Sequence, residues 1–262
     1  MNPWIQLGPL GISPYFACIA LGLSVATFVL AREARHGGLP RRDVFDLALV
    51  VIPAGTVGAR LLVALDDPAA YLAQPWRLVH PSGGWTSYGA LLGLVLGVVV
   101  LARWKALDPW RVLDVFAPAI AFGHAFARLG CLAAGCCHGR PADWPLGVNV
   151  PWSVRYYAHG RLPEELLAVP LHPSPLYESL GMLGLFLGLT ALRRRQPWPG
   201  AVFAGLLGSY GVLRFGLELF RGDLERGFWL DGWVTTGQIV GIVLVALALA
   251  ITAVRRRACT PS

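Results

Sequence analysis

Long apolar stretches alternate with polar connections along most of the 262 residues of the chain. Each stretch has close to the roughly 20 residues that an α-helix needs to cross a bilayer. The pattern predicts seven such helices, at residues 14–31, 44–65, 86–103, 112–133, 174–192, 200–219 and 233–254. One long connection, residues 134–173, follows the fourth helix. The sequence therefore predicts an all-α fold: a polytopic membrane protein with seven transmembrane helices in a single integral membrane domain, residues 1–262.

Composition agrees with this pattern and excludes other classes of protein. Hydrophobic residues make up 55% of the chain and charged residues 14%, and the mean hydropathy is +0.57. Soluble domains have about 45–50% apolar and about 25% charged residues. The composition therefore excludes a soluble enzyme, a disordered chain and a small secreted domain held by disulfides.

Basic residues are concentrated in the connections that follow helices one, three, five and seven. They are Arg32, Arg35, Arg41, Arg42, Arg103, Lys105, Arg111, Arg193, Arg194, Arg195, Arg255, Arg256 and Arg257. Because short cytoplasmic loops are enriched in Lys and Arg, this distribution predicts an N-terminus outside, a C-terminus in the cytoplasm and an outward loop at residues 134–173. The net charge of +7 follows from this topology, so we expect no nucleic-acid partner.

Ionisable side chains inside membrane helices are expensive to bury and by default mark functional sites. The fourth predicted helix contains His124 and Arg128, and their i, i+4 spacing places them on one face. Two potential cations on one face repel each other unless an anion lies between them. The anion is either a lipid phosphate or a carboxylate from another helix, such as Glu178 or Glu218, and the sequence leaves both open.

The sixth predicted helix ends in a stripe of polar residues. Tyr210, Arg214, Glu218 and Arg221 are separated by four, four and three positions, so they lie along one side of a helix. Arg214 and Glu218 can form an ion pair, which leaves Arg221 to bind a phosphate through two parallel hydrogen bonds. We expect this stripe to line a polar cavity.

Two more polar sites lie near the outer ends of predicted helices. Arg60, in the second helix, either extends to the headgroups, pairs with Asp66 or binds a ligand. The fifth helix opens with His172-Pro-Ser-Pro-Leu-Tyr-Glu178, and its prolines suit a helix start. This start holds His172 at the outer membrane face and allows Glu178 to complement the arginines of other helices.

Several motifs, in their order and spacing, resemble the bacterial prolipoprotein diacylglyceryl transferase family. The motifs are Leu7-Gly-Pro9 with Pro14-Tyr15, Gly58-Ala-Arg60, Gly83-Gly84, Tyr88-Gly-Ala-Leu-Leu-Gly93, Gly123 with Arg128-Leu-Gly130, the His172 to Glu178 segment, and the Tyr210 to Arg221 stripe. The resemblance runs along most of the chain. It implies seven spans with the N-terminus outside, in the bacterial plasma (inner) membrane.

This family moves the diacylglyceryl group of phosphatidylglycerol to the thiol of a lipobox cysteine in a prolipoprotein, and glycerol phosphate leaves. The resemblance therefore implies a transferase whose partners are phosphatidylglycerol, the signal peptide of a prolipoprotein and membrane lipids. We expect no cofactor and no bound metal ion.

The resemblance also implies roles for individual residues. Arg128, Arg214 and Arg221 would clamp the lipid phosphate, and Glu218 would orient the arginines. A guanidinium group stabilises the negative charge that develops on a departing phosphate. Residues that would position or bind lipid or thiol are Tyr15, Arg60, Tyr88, His172, Tyr177 and Tyr210.

The chain departs from the family pattern in two places. Where the family has Phe-His-Gly-Gly, this chain has Ser87-Tyr88-Gly89-Ala90, so Tyr88 replaces a histidine proposed as a base. The family sequence Gly-Asn-Phe-x-Asn-Gly-Glu is here Gly130-Cys-Leu-Ala-Ala-Gly-Cys136, followed by Cys137-His-Gly-Arg140. The chain therefore resembles a divergent branch with its own cysteine-rich signature.

Cys131, Cys136, Cys137 and His138 lie within eight positions, and three interpretations remain open. In the first, His138 or a thiolate such as that of Cys136 takes the catalytic proton, because Tyr88, with an ordinary pKa of about 10, does not easily do so at neutral pH. In the second, a disulfide such as Cys131–Cys136 staples the turn on the oxidising side of the membrane. In the third, the cluster binds a metal ion. Two observations argue against this interpretation: adjacent cysteines do not easily reach one tetrahedral ion together, and the usual Cys-x2-Cys spacing is missing. We assign Cys136 and His138 to the catalytic group.

Two alternative functions use the same residues. A family paralogue would transfer a lipid-derived group to a different acceptor. A membrane thiol–disulfide redox protein would instead use the three clustered cysteines, and its activity would depend little on Arg214.

Overall fold

The structure is a computed structural model that describes residues 5–7, 10–36, 40–80, 84, 86–143, 152–156, 162–195, 198–222, 227–229 and 233–259. Within these ranges the chain forms eight α-helices. They are α1 (Pro14–His36), α2 (Arg41–Asp66), α3 (Pro68–Ala73), α4 (Ser87–Trp104), α5 (Pro109–Ala134), α6 (Ser174–Arg194), α7 (Ala201–Leu217) and α8 (Thr236–Cys259). Single turns of 3₁₀ helix lie at Pro75–Leu78, Glu164–Leu166 and Glu218–Phe220.

Six helices in the described part of the chain are long and apolar enough to cross a membrane. These six segments are Pro14–His36, Asp46–Leu65, Pro109–Ala134, Ser174–Arg194, Ala201–Phe220 and Thr236–Arg257. The apolar segment of α4, Tyr88–Trp104, is shorter. Each predicted apolar stretch coincides with one of these seven helices to within a few residues at each end. The prediction of an all-α, multi-pass membrane protein is confirmed.

Two short antiparallel β-ribbons are not predicted by the apolar pattern. β1 (Ile5–Leu7) pairs with β2 (Leu10–Ile12), and β3 (Phe228–Trp229) pairs with β4 (Val234–Thr235). Strands of two or three residues are too short to show an alternating pattern. β4 leads into α8 through a capping box, in which the Gln238 N–H donates to Thr235 Oγ1 (3.2 Å) and the Thr235 N–H donates to Gln238 Oε1 (3.0 Å).

The chain divides into two compact units, and each is described by itself. The larger comprises Met1–Val29 and Ala117–Ser262, and the smaller comprises Leu30–Phe116. The prediction that residues 1–262 form a single membrane domain stays a prediction.

In the smaller unit, α2 and α4 approach each other through their backbones. A side chain at Gly58 would overlap the carbonyl oxygen of Gly89, and one at Gly93 would overlap that of Ala54. Gly89 and Gly93 have the small-x3-small spacing that permits close approach of membrane helices. Glycine at these positions therefore determines how closely the two helices pack.

Two polar contacts accompany this pair of helices. Lys105, which follows α4, donates to Asp43 Oδ1 (2.8 Å) and Asp46 Oδ2 (2.6 Å), and these hydrogen bonds raise the pKa of Lys105. Arg60, buried in α2, donates from Nη1 to the carbonyl oxygen of Gly84 (3.3 Å). The Gly84 contact is not among the predicted ones, and the side chain of Asp66, a predicted partner of Arg60, lies outside the described part of the chain.

Replacing Gly58 by alanine should lower the melting temperature of the protein in detergent. The added methyl group meets backbone atoms of Gly89 and Gly93, and overpacking of this kind costs about 1–3 kcal/mol. Gly188→Ala in α6 is the matched control, because a methyl group there meets no described atom within 4 Å. Equal melting temperatures for the two variants would contradict the close packing of α2 and α4.

The larger unit contains most of the buried charged groups of the described residues. α1 and α5 lie close together, since a side chain at Gly130 would lie 3.1 Å from the carbonyl oxygen of Tyr15. α7 and α8 also meet through their backbones, and a side chain at Gly211 would lie 2.6 Å from the carbonyl oxygen of Gly241. Buried charged or titratable residues of this unit are Arg128, His138, His172, Glu178, Arg214, Glu218 and Arg221.

Candidate active site

The carboxylate of Glu178 joins three helices of the larger unit. Its Oε1 lies 3.0 Å from His124 Nε2 and 3.1 Å from Arg128 Nε, both on α5. Tyr210, on α7, donates its hydroxyl hydrogen to the same oxygen at 3.1 Å. The anion between His124 and Arg128, which the sequence leaves open, is therefore a carboxylate from α6.

A second ion pair lies at the end of α7. Arg214 pairs through Nη2 with Glu218, and Arg221 Nε lies 4.0 Å from the same carboxylate. Arg214 is 4% exposed and Glu218 2%. Among the described residues, the Nη1 atom of Arg214 has no hydrogen-bond partner. A buried donor without a partner is costly, so this nitrogen is a candidate for contact with an anion.

The two ion pairs belong to one electrostatic site. Tyr210, which donates to Glu178, and Arg214, which pairs with Glu218, are separated by one turn of α7. Arg128 also lies beside Cys137, and Arg221 is bridged to Gly139, two residues after Cys137. α8 begins against the same group, because a side chain at Gly237 would lie 2.8 Å from Arg214 Nη2. The predicted stripe of α7 therefore faces the predicted face of α5.

A tight turn after α5 gathers three thiol groups. Gly135 has φ +72° and Cys137 has φ +56°, and the turn is closed by a hydrogen bond from the Cys136 N–H to the Cys131 carbonyl oxygen (3.2 Å). The Sγ atoms of Cys131, Cys136 and Cys137 lie within 4.8 Å of one another. Arg128 Nη1 lies 3.6 Å from the Cys137 sulfur and 4.0 Å from the Cys131 sulfur.

The pKa values of the two thiols that follow α5, those of Cys136 and Cys137, are shifted in opposite directions. Hydrogen bonds from Cys131 and Cys136, and then the charge of Arg128, hold the pKa of Cys137 below its usual range, although burial acts in the other direction. Hydrogen bonds with the other two thiols, and then burial, raise the pKa of Cys136. Of these two thiols, that of Cys137 is therefore the more acidic.

Backbone hydrogen bonds tie this turn to two other segments of the site. The Gly139 N–H donates to the carbonyl oxygen of His172 (3.1 Å), and the His172 N–H donates to that of Arg140 (2.9 Å). The Arg140 N–H donates to the carbonyl oxygen of Phe220 (3.0 Å), and Gly139 forms an antiparallel bridge with Arg221. These bonds fix Arg221 beside the turn after α5 and the start of α6.

Aromatic side chains surround the start of α6. His172 Nδ1 lies 3.1 Å from the Tyr177 hydroxyl, which accepts a hydrogen bond from Trp152 Nε1 at 2.8 Å. The rings of His172 and Tyr177 both contact Phe220 edge-on, with centroids 5.5 and 5.8 Å away. The His172 ring is thus held against Phe220, the residue that precedes Arg221 in the chain.

Ten of the twelve predicted site residues lie in the larger unit and two in the smaller. Arg128, Tyr210, Arg214, Glu218, Arg221, Cys136, His138, His172, Tyr177 and Tyr15 all belong to the larger unit. Tyr15 lies beside Gly130, with its Cδ2 atom 3.3 Å from where a side chain at Gly130 would begin. Arg60 and Tyr88 belong to the smaller unit, and the roles of all twelve residues stay predictions.

Two central residues are absent from the predicted site list. Glu178 is only 3% exposed and contacts three site residues, and His124 lies against both Glu178 and Arg128. The sequence contains a signal for each of them. His124 is indicated by its i, i+4 spacing with Arg128, and Glu178 is the last residue of the His172 to Glu178 segment.

Comparison with known proteins agrees with the motifs. The family profile described as prolipoprotein diacylglyceryl transferase matches residues 3–254. The chain belongs to this family. It is accordingly a transferase of lipoprotein biosynthesis, and the resemblance in the sequence motifs is confirmed.

Relatives named phosphatidylglycerol–prolipoprotein diacylglyceryl transferase match nearly the full chain. The protein of Geobacter sulfurreducens is 34% identical over 266 residues, which covers 97% of this chain and 95% of the relative. The protein of Geobacillus kaustophilus is 32% identical over 264 residues, covering 97% and 92%. That of Clostridium tetani is 29% identical over 247 residues, covering 93% of both chains.

Proposed function

We propose that this membrane transferase moves the diacylglyceryl group of phosphatidylglycerol to the lipobox cysteine of a prolipoprotein and releases glycerol phosphate. One observation carries the proposal. Arg214 Nη1 is buried and has no hydrogen-bond partner among the described residues, in a chain whose relatives are named for phosphatidylglycerol. A phosphate oxygen of the lipid satisfies that donor.

The charges of the site also suit a lipid phosphate. The guanidinium groups of Arg128, Arg214 and Arg221 are set against the carboxylates of Glu178 and Glu218. Among these five groups one positive charge is left in excess, and a phosphodiester carries one negative charge. Guanidinium groups bind phosphate through planar pairs of hydrogen bonds, and burial strengthens this interaction.

The transfer is a direct displacement. The lipobox thiol loses its proton, its sulfur attacks the terminal carbon of the diacylglyceryl group, and the bond from that carbon to the phosphate oxygen breaks. The electron pair goes to the phosphate oxygen, where Arg128, Arg214 and Arg221 stabilise the developing charge. Glu218 orients Arg214 and Arg221, while Tyr210 and Tyr15 position the lipid or the thiol.

His138 and Cys136 remain the two predicted acceptors of the proton that the lipobox thiol loses. His138 is buried, and its Nδ1 lies 3.1 Å from the carbonyl oxygen of Gly139. A carbonyl oxygen only accepts, so Nδ1 carries the hydrogen and Nε2 is left as the basic atom. The Cys136 thiol donates to the carbonyl oxygen of Cys131 (3.7 Å).

Substrate binding and topology complete the proposal. We infer that α4 also crosses the membrane, which brings the number of spans to seven. We further infer that the N-terminus lies outside and that the protein lies in the bacterial inner membrane. Arg60, Tyr88, His172 and Tyr177 bind substrate, and surrounding membrane lipids supply the donor. Support for this topology comes from the basic residues that follow alternate helices.

A reconstituted assay tests the function. Purified protein in lipid vesicles is mixed with phosphatidylglycerol and with a peptide that contains a lipobox. One preparation of the lipid is labelled in its acyl chains and another in its headgroup glycerol. We expect the peptide to gain one diacylglyceryl group and glycerol phosphate to appear in equal amount. A peptide with serine in place of the lipobox cysteine is the control and should gain nothing.

Two outcomes would contradict the proposal. If a related enzyme of the family is active in the same vesicles and this protein is not, the standard reaction is excluded. Release of glycerol phosphate without modification of the peptide would point instead to a different acceptor.

A further inference from the structure

The thiols of Cys131, on the last turn of α5, and of Cys136 and Cys137, in the turn that follows, form a group of three. We propose that Cys131, Cys136 and Cys137 bind one thiophilic d¹⁰ metal ion, monovalent copper, through three sulfur atoms. The proposal gives Cys136 the role of a ligand in place of the predicted role of proton acceptor. It does not depend on the identity of the lipid substrate.

The distances between the sulfur atoms carry the proposal. The three Sγ atoms lie within 4.8 Å of one another. Metal–sulfur bonds of about 2.3 Å place the three sulfurs of a trigonal site about 4 Å apart. The group therefore needs only a small contraction to surround an ion. A disulfide requires a sulfur–sulfur distance of about 2.0 Å and would use only two of the three thiols.

The backbone of the turn explains how adjacent cysteines contribute to one site. Cys137 has φ +56°, a left-handed conformation that residues other than glycine adopt rarely and that is concentrated at functional sites. In this conformation both Cys136 and Cys137 direct their sulfur atoms toward Cys131 on the last turn of α5. The sequence-based objection to adjacent cysteines concerns a tetrahedral ion, and a trigonal site needs no fourth ligand.

The charges around the thiols favour a monovalent ion. Three thiolates with one monovalent ion carry two negative charges. The guanidinium group of Arg128 lies 3.6 Å from the Cys137 sulfur and offsets part of this charge. Soft thiolate ligands select monovalent copper, whereas zinc in structural sites takes four ligands.

A metal-binding titration tests the site directly. Full-length protein in detergent, reduced and kept without oxygen, is titrated with monovalent copper against a chromogenic chelator of that ion. We expect one ion per chain and an X-ray absorption spectrum with three sulfur neighbours. Replacing Cys131, Cys136 or Cys137 singly by serine removes one of three sulfur ligands and should weaken binding by more than the roughly tenfold that loss of a partner of a ligand costs. Cys18→Ser is the matched control, because this cysteine of α1 lies outside the group of three, and its binding should equal that of the unmodified chain.

A second measurement keeps the proposal testable if a serine variant does not fold. Alkylation of the unmodified chain, read by mass spectrometry, should show that copper protects Cys131, Cys136 and Cys137 while Cys18 remains reactive. Equal reactivity with and without copper would overturn the proposal. So would tighter binding of zinc than of copper, or a disulfide among the three thiols in protein isolated without reductant. Loss of copper binding is independent of lipid transfer, so failure of either proposal is recognised separately.

Discussion

Replacing Arg128 by lysine should lower kcat/KM for diacylglyceryl transfer by about 10²–10³-fold, as removal of one preorganised donor to a developing anion does elsewhere. Lysine keeps a positive charge beside Glu178, but it does not reproduce the planar guanidinium group that reaches Glu178 and Cys137 together. Arg and Lys are not equivalent where geometry fixes several donors at once. The measurement is the initial rate of peptide modification at several concentrations of phosphatidylglycerol.

Arg111→Lys is the matched control for this variant. Arg111 lies on the same helix, α5, and its side chain is 73% exposed, so the same change of residue type should leave the rate unaltered. A rate for Arg128→Lys within about threefold of the unmodified protein would show that Arg128 does not contact the reacting phosphate.

Lysine is a more informative replacement than alanine at this position. Arg128→Ala would leave the carboxylate of Glu178, which is 3% exposed, without its arginine. Breaking one side of a buried ion pair destabilises a protein by about 3–5 kcal/mol. Loss of activity in the alanine variant would therefore mix loss of chemistry with loss of folded protein.

The helices could be predicted from the sequence because their signals are local. The predicted fifth helix and α6 both start at residue 174, where Pro173 and Pro175 suit a helix start. The predicted stripe of Tyr210, Arg214, Glu218 and Arg221 depends only on helical spacing, and its first three members remain on one face of α7 and its final turn.

The partners of these residues could not be predicted in the same way. Spacing shows that His124 and Arg128 share a face, but it does not identify the group opposite that face. The carboxylate of Glu178 occupies that position because α5 and α6 pack together in the larger unit. Likewise, the three thiols come together because Cys137 has a positive φ. A cysteine at that position of the sequence does not predict this backbone conformation.

Gly139 should be among the residues least tolerant of a larger side chain. A methyl group there would overlap the carbonyl oxygen of His172 and lie 2.6 Å from the His172 Cβ atom. A carbonyl oxygen cannot rotate away as the end of a side chain can, and it also accepts the Gly139 N–H. Gly139 does not have a positive φ, so the effect of alanine is purely steric. We expect it to lower the free energy of unfolding by about 1–3 kcal/mol.

Gly139→Ala should therefore impair the site as well as stability. Separation of the segments that carry Gly139 and His172 moves the bridge between Gly139 and Arg221, so Arg221 no longer meets the phosphate at the same position. We expect a lower melting temperature and, per folded molecule, a rise in KM for phosphatidylglycerol of at least about tenfold, the factor that corresponds to 1.4 kcal/mol of binding free energy. Gly188→Ala, which introduces the same methyl group into open space among the described residues, should change neither quantity. An unchanged KM in folded Gly139→Ala protein would show that the backbone bridge does not position Arg221 for lipid binding.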